Sequence, residues 1–542
     1  MQAPDSAAAH NPLSPWAPLH LGAFRILWTV ALVANVCMWM NDVSAAWMMS
    51  TLTTSPLWVG LVQTAAMLPV FLLGLPSGAL ADVLDRKKFL VASQLGVALT
   101  AAVLSVAVFL GWMTPLLLLV LTFVNGVGLA MRMPVLATVL PEAVPHPQWP
   151  AAMALGAVSM NASRIVGPLL AGALIASVGA AWVFLLNAVL SMVAVAVLLR
   201  WKRVVRHDPL GPEPLRSAMR AGLKYVAHSR HLKGVLLRMG VFFLCTAALM
   251  ALLPLLARGL RGGGAWAFTL LIAAMGAGAI AATALLPAMR RRYGRDALVM
   301  RGTCVQALSM VGMAWVEPLW LAIPLMFIAG GAWILTGNTL SVSSQMGLPG
   351  WVRARGMSIS QVTLMGASAA GAALWGQVAA LTSVPHSLTT AAVLVVACMT
   401  LVNRLWPDRG AMEDLTPKRL DSRPQATVPP AGGHVMMTIE YRVDRACVAE
   451  FEAFMLGETR SNRLRHGALS WELLHDLSDP CRFLETVVDA SWTDHLRHFE
   501  RMTASDLSLR ERRLAFHQGA DGPVVHRFLM ASTVRENAAV GH

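Results

Sequence analysis

The 542-residue chain is 56% hydrophobic and only 13% charged, with a mean hydropathy of +0.58, whereas ordinary soluble chains are about 45–50% apolar and about 25% charged. A wholly soluble protein is excluded, as is an intrinsically disordered one, which needs low hydrophobicity. The formal charge of +14 would suit a nucleic-acid binder, but residues 1–405 hold 26 of the 43 Lys and Arg and only nine of the 29 Asp and Glu, while residues 406–542 are slightly acidic and charged like a soluble domain.

The first 22 residues are rich in Pro and Ala and lack the basic start and short apolar core of a secretory signal; they read as a cytoplasmic tail. A membrane-crossing helix needs about 20 mostly apolar residues, and twelve such runs follow. Six lie at about 24–50, 57–81, 88–111, 116–140, 151–178 and 182–200, giving a first half over 23–200. A basic central linker, 201–233, carries Pro209, Pro212 and Pro214 and then an amphipathic stretch, Leu215–Ala227. Six more runs, at about 234–257, 265–288, 298–316, 319–346, 355–381 and 387–405, make a second half over 234–406. Turn residues mark several breaks, among them Ser55-Pro56, Thr114-Pro115 and Glu317-Pro318. Residues 407–433 form a Pro-rich, semi-extended linker ending in Gly432-Gly433.

Beyond it the period changes from helical to alternating. Val435, Met437, Ile439, Tyr441 and Val443 predict a strand, about 446–465 a helix, Leu469–Leu473 and Arg482–Asp489 two strands, about 493–516 a second helix and about 524–531 a last strand. The order βαββαβ is that of a ferredoxin-like domain over 434–533, leaving 534–542 as a tail. The expected fold is therefore an all-α membrane protein of twelve transmembrane helices in two six-helix halves, joined to a cytosolic α+β domain.

Lys and Arg concentrate in the even-numbered connections: Arg86, Lys87 and Lys88, the central linker, Arg290 to Arg295, then Arg353 and Arg355. The odd connections hold only Arg258 and Arg261. By the positive-inside rule the even connections and both termini are cytoplasmic. The positive charge is dispersed over loops rather than gathered on one surface, so no nucleic-acid partner is expected. The six cysteines are scattered without a CxxC, which argues against a disulfide framework or a zinc cluster. No GxxxxGK[ST] loop supports transport driven by ATP on this chain.

Charged groups inside spans are costly and point to function. Asp42, about 18 residues into span one, and Arg164, about 13 residues into span five, lie roughly 27 and 20 Å from the inner surface at a helical rise of about 1.5 Å per residue. Arg132, in span four, lies nearer the cytoplasm and either faces a cavity or snorkels to the interface. Asp42 reads as a proton-coupling carboxylate tuned by pairing with Arg164, with Asn41 next to it and Arg132 in the same cavity but nearer the cytoplasm, out of easy reach of Asp42; a structural or solvated Asp42 is the bland alternative. Asn35, Asn125, Asn187, Asn338 and Gln361 read as interhelical glue.

The segment Gly78-Ala-Leu-Ala-Asp82-Val-Leu-Asp85-Arg86-Lys87-Lys88 resembles the loop signature of the major facilitator superfamily. The resemblance implies a conformational gate at Gly78, Asp82, Asp85, Arg86 and Lys87, with Arg353 and Arg355 as partners across the halves. Asn161-Ala-Ser-Arg164-Ile-Val-Gly167-Pro168, with Gly172, resembles the superfamily's antiporter signature, with Ser163 in place of one glycine. Here Asn161, Gly167, Pro168 and Gly172 would form a helix-packing motif. The superfamily's usual Arg in span four would fall at Thr122 and is absent. With Trp39-Met40-Asn41-Asp42, Leu140-Pro141-Glu142 and Trp351-Val-Arg-Ala-Arg355, the whole resembles the enterobactin-exporter-like branch that carries an extra C-terminal domain.

That domain resembles the antibiotic-biosynthesis-monooxygenase, dimeric α/β-barrel group. The resemblance implies homodimers through paired sheets, and in some relatives cofactor-free oxidation or haem degradation. Trp471, His475, Trp492, His495 and His498 are the polar-aromatic candidates; His495 and His498 share a helix face that reads as solvated rather than metal-binding. The haem-degrading relatives' Asn in the first strand is replaced by Thr438, Glu440 and Arg442, which favours binding, regulation or dimerisation over catalysis.

The resulting expectation is proton-driven export of a small organic molecule, siderophore- or drug-like, across a bacterial inner membrane by alternating access. The proton gradient is the energy source; no cofactor, no catalytic residue and no metal are assigned. Partners are the substrate, the bilayer and possible second copies through the tail. The alternatives are a transporter-anchored monooxygenase, and an importer or sensor whose tail binds a cytosolic ligand.

Overall fold

The computed structural model describes residues 16–83, 85–145, 148–201, 215–407, 413–418, 432–519 and 521–531. The chain divides into two compact units, one drawn from Met1–Pro212, Leu237–Leu340 and Gln361–Leu405 and the other from Glu213–Leu236, Ser341–Ser360 and Trp406–His542.

The first unit is a helical bundle. Its first half holds α1 (Gly22–Leu52), α2 (Pro56–Val83), α3 (Arg86–Phe109), α4 (Pro115–Glu142), α5 (Trp149–Ser177) and α6 (Ala180–Arg200). After a short helix α7 (Leu215–His228), the second half is built on α8 (Arg230–Gly259), α9 (Ala265–Arg292), α10 (Arg295–Trp315), α11 (Leu319–Met346), α12 (Arg353–Leu381) and α13 (Val384–Leu405). Twelve helices among the described residues are long and apolar enough to cross a membrane, the number expected. These helices are apolar nearly all round, so small residues rather than an apolar stripe decide where they meet. A Cβ on Gly126 of α4 would lie 2.7 Å from the Ala66 carbonyl oxygen of α2, so only glycine permits that approach. Between the halves, Gly60 of α2 stands against Ala372 and Gly376 of α12, and the Thr64 hydroxyl donates to the Ala369 carbonyl at 2.8 Å.

The end of the bundle carrying the odd connections is closed across the halves. Trp47 stacks on Phe268 at 5.5 Å and Arg258 donates to the Ser50 carbonyl. Exposed tryptophans gather at this same end: Trp112, Trp182, Trp266, Trp315 and Trp320. Such a belt suits rings seated at a headgroup interface. Exposed Leu99, Val103, Leu308 and Val393 on the helix flanks form the kind of apolar surface that a bilayer covers.

In the second unit, β1 (Val435–Arg442), β2 (Ser470–His475), β3 (Arg482–Asp489) and β4 (Val524–Leu529) form one antiparallel sheet in the order β2-β3-β1-β4. Met437, Ile439, Tyr441, Trp471, Phe483 and Val487 point to its buried face, against Phe451, Phe454 and Met455. Both predicted helices are interrupted. The first is α14 (Val448–Phe454), a π turn at Met455–Thr459 and α15 (Arg460–Arg465). Its wide turn contains Gly457 and leaves both Met455 and Thr459 buried. The second is α16 (Trp492–Glu500) and α17 (Ala504–Ala515). The break follows from Thr503, whose hydroxyl and backbone form a reciprocal capping box with Asp506 and start a new helix.

The linker residues 413–418 are not a free spacer. They lie along the α16–α17 turn, with Lys418 N–H donating to the Met502 carbonyl, and Ala504 and Ser505 N–H donating to Thr416 and Asp414. Helix α7 belongs to this unit too. Its Tyr225 packs with Leu232, Leu348 and Val352, and the Lys224 ammonium donates to the Ala468 carbonyl at 2.5 Å.

Candidate functional site

The interior of the bundle brings together residues from both halves. Arg164 of α5 places its guanidinium 5.4 Å from the Trp39 ring centre on α1 and 5.0 Å from the Trp333 ring centre on α11. A cation over an indole face is attracted by the ring quadrupole, more strongly where water is excluded. The expected Asp42–Arg164 pairing is not made: among the described residues no ion pair joins them, because the two indoles occupy the guanidinium. Asp42 is half-buried on α1. Its neighbour Asn41 is 1% exposed, and both atoms of its amide lack a hydrogen-bond partner. The Trp39 indole N–H, the Ser44 hydroxyl and Arg164 Nε are likewise buried without partners. Native interiors seldom leave such groups unsatisfied, so each invites a ligand, water or ion.

Arg132 is 3% exposed and donates to Gln94 Oε1 of α3 at 3.2 Å. It neither snorkels nor approaches Asp42; it ties α4 to α3. Gly167 carries the α5–α1 crossing, since a Cβ there would sit 2.6 Å from the Trp39 Cβ and 2.9 Å from the Val36 carbonyl oxygen. Gly172 faces Thr269 of α9, across the halves. With Pro168 inside α5, the expected packing motif makes both an intra-half and an inter-half contact. The side chains of Asn161 and Asp82 lie outside the described residues, as do the surroundings of Gly78.

The structure describes the rest of the expected gate. Asp85 caps α3 by accepting from Lys88 N–H at 2.9 Å, Arg86 opens that helix, and the Lys87 ammonium donates to the Leu199 carbonyl at 2.8 Å, in the last turn of α6. Arg353 Nε donates to the Leu348 carbonyl at 3.4 Å, and the Arg355 stem rests over Gly222 of α7. Of the expected glue, Asn338 accepts from Arg290 at 2.9 Å, and Asn187 accepts from Ser191 one turn on in α6.

In the tail, the helix face of His495 and His498 is not solvated. His495 is 1% exposed; its Nδ1 lies 2.7 Å from Asp489 Oδ2, and Arg527 Nε donates to its Nε2 at 3.1 Å. Because Arg only donates, Nε2 is the acceptor and Nδ1–H the donor to Asp489. His498 Nδ1 lies 3.4 Å from the other Asp489 oxygen, and Trp492 stacks on His495 at 5.4 Å. Burial alone would raise the Asp489 carboxyl; the neighbouring His498 and the hydrogen bond from His495 outweigh it and hold it well below the usual range.

Glu485 is fully buried and saturated. Arg463 and Trp471 donate to one oxygen at 2.9 Å each, and the Tyr441 hydroxyl to the other at 2.9 Å. Its burial is overcome by Arg463 and Arg513 and by these bonds, which hold the carboxyl at about 2. His475 stacks on Phe483 at 4.2 Å. Among the described residues no group of three or more His, Cys, Asp and Glu is placed to hold a metal ion.

Sequence reasoning missed Trp333, Glu485 and Asp489. Trp333 gives no signal within an apolar span. The two acids do: in β3 they share the two-residue period of buried Phe483 and Val487.

Comparison with known proteins places these features. Residues 137 in number are 37% identical to an uncharacterized MFS-type transporter of Bacillus subtilis, covering 25% of this chain and 32% of that protein. Macrolide efflux protein A of Streptococcus pyogenes is 25% identical over 43% of this chain and 58% of its own length. The enterobactin exporter EntS of Salmonella typhi is 25% identical over 55% of this chain and 72% of its own. The chain thus spans about a third to about three quarters of these relatives. Among solved structures, a bacterial homolog of the human lysosomal transporter Spinster superposes with a TM-score of 0.57 at 15% identity over 71% of this chain and 97% of the other. The nucleoside transporter NupG superposes with a TM-score of 0.52 at 14% identity over 72% and 100%. These share the fold. The family model of transmembrane secretion effectors matches residues 13–535, helices and tail alike. The chain is a member of that family, a major facilitator transporter with twelve helices able to cross a membrane.

Proposed function

We propose that this transporter exports a small organic molecule from the bacterial cytoplasm across the inner membrane, driven by the proton gradient without a cofactor, with both termini inside. The observation that carries the reading is the Arg164 guanidinium held between Trp39 and Trp333, from opposite halves, with Asn41, Ser44 and the Trp39 N–H left unpartnered nearby in the bundle. A site shared by two halves is where alternating access needs its ligand. Relatives named for macrolide efflux and enterobactin export support the direction and the siderophore- or drug-like substrate class. Asp42 is the proposed proton carrier. The gate expected from the loop signature belongs to the same reading.

The test is accumulation of siderophores and hydrophobic cationic dyes in inverted vesicles with an imposed proton gradient. Gradient-dependent uptake by the native chain, lost in Asp42→Asn, is expected. Uptake by Asp42→Asn that still follows the gradient would remove Asp42 from the mechanism.

For the tail we propose a ferredoxin-like, monooxygenase-related module that binds or dimerises rather than catalyses. Its β2-β3-β1-β4 order supports the fold. The saturated Glu485 network occupies the space between sheet and helices. The other sheet face exposes Leu474, Val524 and Phe528, which suits a second copy. Oxygen consumption or bound haem in the purified chain would overturn the non-catalytic reading.

A further inference from the structure

The connection between α11 and α12 is gripped by the tail. Trp351 of that connection stacks against the His466 ring, with centroids 6.0 Å apart and planes 26° apart. The Arg501 guanidinium lies 4.4 Å from the Trp351 ring centre, and Tyr225 of α7 meets the indole edge-on at 5.7 Å. Tyr225 in turn donates to the Gly347 carbonyl at 3.4 Å and lies under the Arg465 guanidinium at 5.4 Å.

Two further bonds tie α7 to the tail. The Lys224 ammonium donates to the Ala468 carbonyl at 2.5 Å, and the Ser461 hydroxyl donates to the His228 carbonyl at 2.9 Å. The gripping groups are themselves fixed. Arg465 pairs with Glu413 at 2.7 Å and with Asp506 at 3.5 Å, and His466 Nε2 lies 3.2 Å from Asp506. Three segments distant in sequence, namely the central linker helix, the α11–α12 connection and the tail, are therefore interlocked through one seam. Helices α8, α11 and α12, which continue from these segments, are candidate membrane spans.

We propose that the tail domain is an intramolecular latch on the α11–α12 connection. Through Trp351 and α7 it holds that connection in one position, favours the conformational state in which the seam is formed, and must release for a transport cycle to proceed. Contacts made in only one of two states shift the population towards that state by their own differential free energy. The inference rests on the transporter reading, because a latch has a consequence only where helices rearrange.

The test uses the full-length chain in lipid nanodiscs, with two variants that break the seam from opposite sides, Trp351→Ala and Arg501→Ala, and a third, Trp351→Phe, that keeps an aromatic face. Amide exchange reads the seam at α7 and at residues 347–353. Spin labels on cysteines introduced by Lys88→Cys and Arg292→Cys, in a chain whose native cysteines are replaced by serine, read the distance between the halves at the even-connection end.

Both alanine variants are expected to speed exchange at the seam about tenfold, as loss of a half-buried cation–π stack implies, and to broaden the label distances into a second population. Trp351→Phe is expected to stay close to native in both. Faster exchange with an unchanged distance distribution would overturn the latch, as would unchanged exchange, which would mean that these contacts do not hold the tail. Neither readout uses a substrate. A negative result here leaves the export reading standing, and a failed vesicle assay leaves the latch standing.

Discussion

The Arg164 guanidinium lies 5.0 Å from the centre of the Trp333 ring, and the two residues belong to opposite six-helix halves. The contact has to break or slide if the halves rock about a central site. Replacing Trp333 by Ala is expected to raise the KM of a transported dye about tenfold, the equivalent of a buried cation–π contact, while Trp333→Phe retains most of the affinity. Concentration-dependent uptake in inverted vesicles measures this. Equal KM for the two variants would make the stack mere packing.

Gly172 and Thr269 bring α5 and α9 together across the halves. A side chain at Gly172 overlaps that of Thr269, so Gly172→Val is expected to slow transport at least about tenfold, with a packing cost of about 1–3 kcal/mol. Adding Thr269→Gly restores room and part of the rate. If the double variant is no better than the single, the defect lies elsewhere than in this crossing.

Glu485 gives the tail a defined acid response. Its folded carboxyl sits at about 2 against an ordinary value of 4.5. Its contribution is therefore fully present above about pH 4.5 and is lost as the pH falls towards 2. The loss amounts to about 3 kcal/mol by linkage. Glu485→Gln leaves Arg463 and Arg513 buried without their counter-charge, costs about 3–5 kcal/mol at neutral pH and flattens the acid limb. Amide exchange of the tail in the full chain, measured from pH 7 down to about 3, reads both effects; an equally steep acid limb in the variant would assign the response to other acids.

Thr503 starts α17 through its capping box with Asp506. Thr503→Ala is expected to cost about 1–2 kcal/mol and to loosen the 413–418 segment laid along that turn. Thr503→Ser keeps the hydroxyl and is expected to be near native. Proteolysis of the linker region in both variants separates capping from a general loss of the tail.

Much of the architecture is legible along the chain because the bilayer imposes it. A span must satisfy its own backbone and must be apolar for about 20 residues, so the runs at about 24–50 and 182–200 declare themselves from composition alone. The alternation at Val435–Tyr441 is equally plain, as one strand face is buried. Charge placement along the loops follows the same one-dimensional logic. The partners of particular side chains do not. Depth along two helices suggested an Asp42–Arg164 pair, but depth is one coordinate; helix rotation and the indoles of Trp39 and Trp333 placed the guanidinium elsewhere. Asp85 and Lys87 stand in a gate signature, and only the structure shows which helix ends they meet, Asp85 at the start of α3 and Lys87 at the last turn of α6.

Sequence by itself determined what is local or periodic: twelve apolar spans, a polar tail with strands of period two, and the identity of the few ionisable groups inside the membrane part. Tertiary structure decided which of these groups meet. His495 and His498 looked like a solvated face until Asp489 of β3 was brought beneath them, and Trp351 lay in an ordinary loop until the tail supplied His466 and Arg501. Period and hydropathy report how a residue faces its own helix or strand, whereas a contact between segments over a hundred residues apart depends on how whole elements pack.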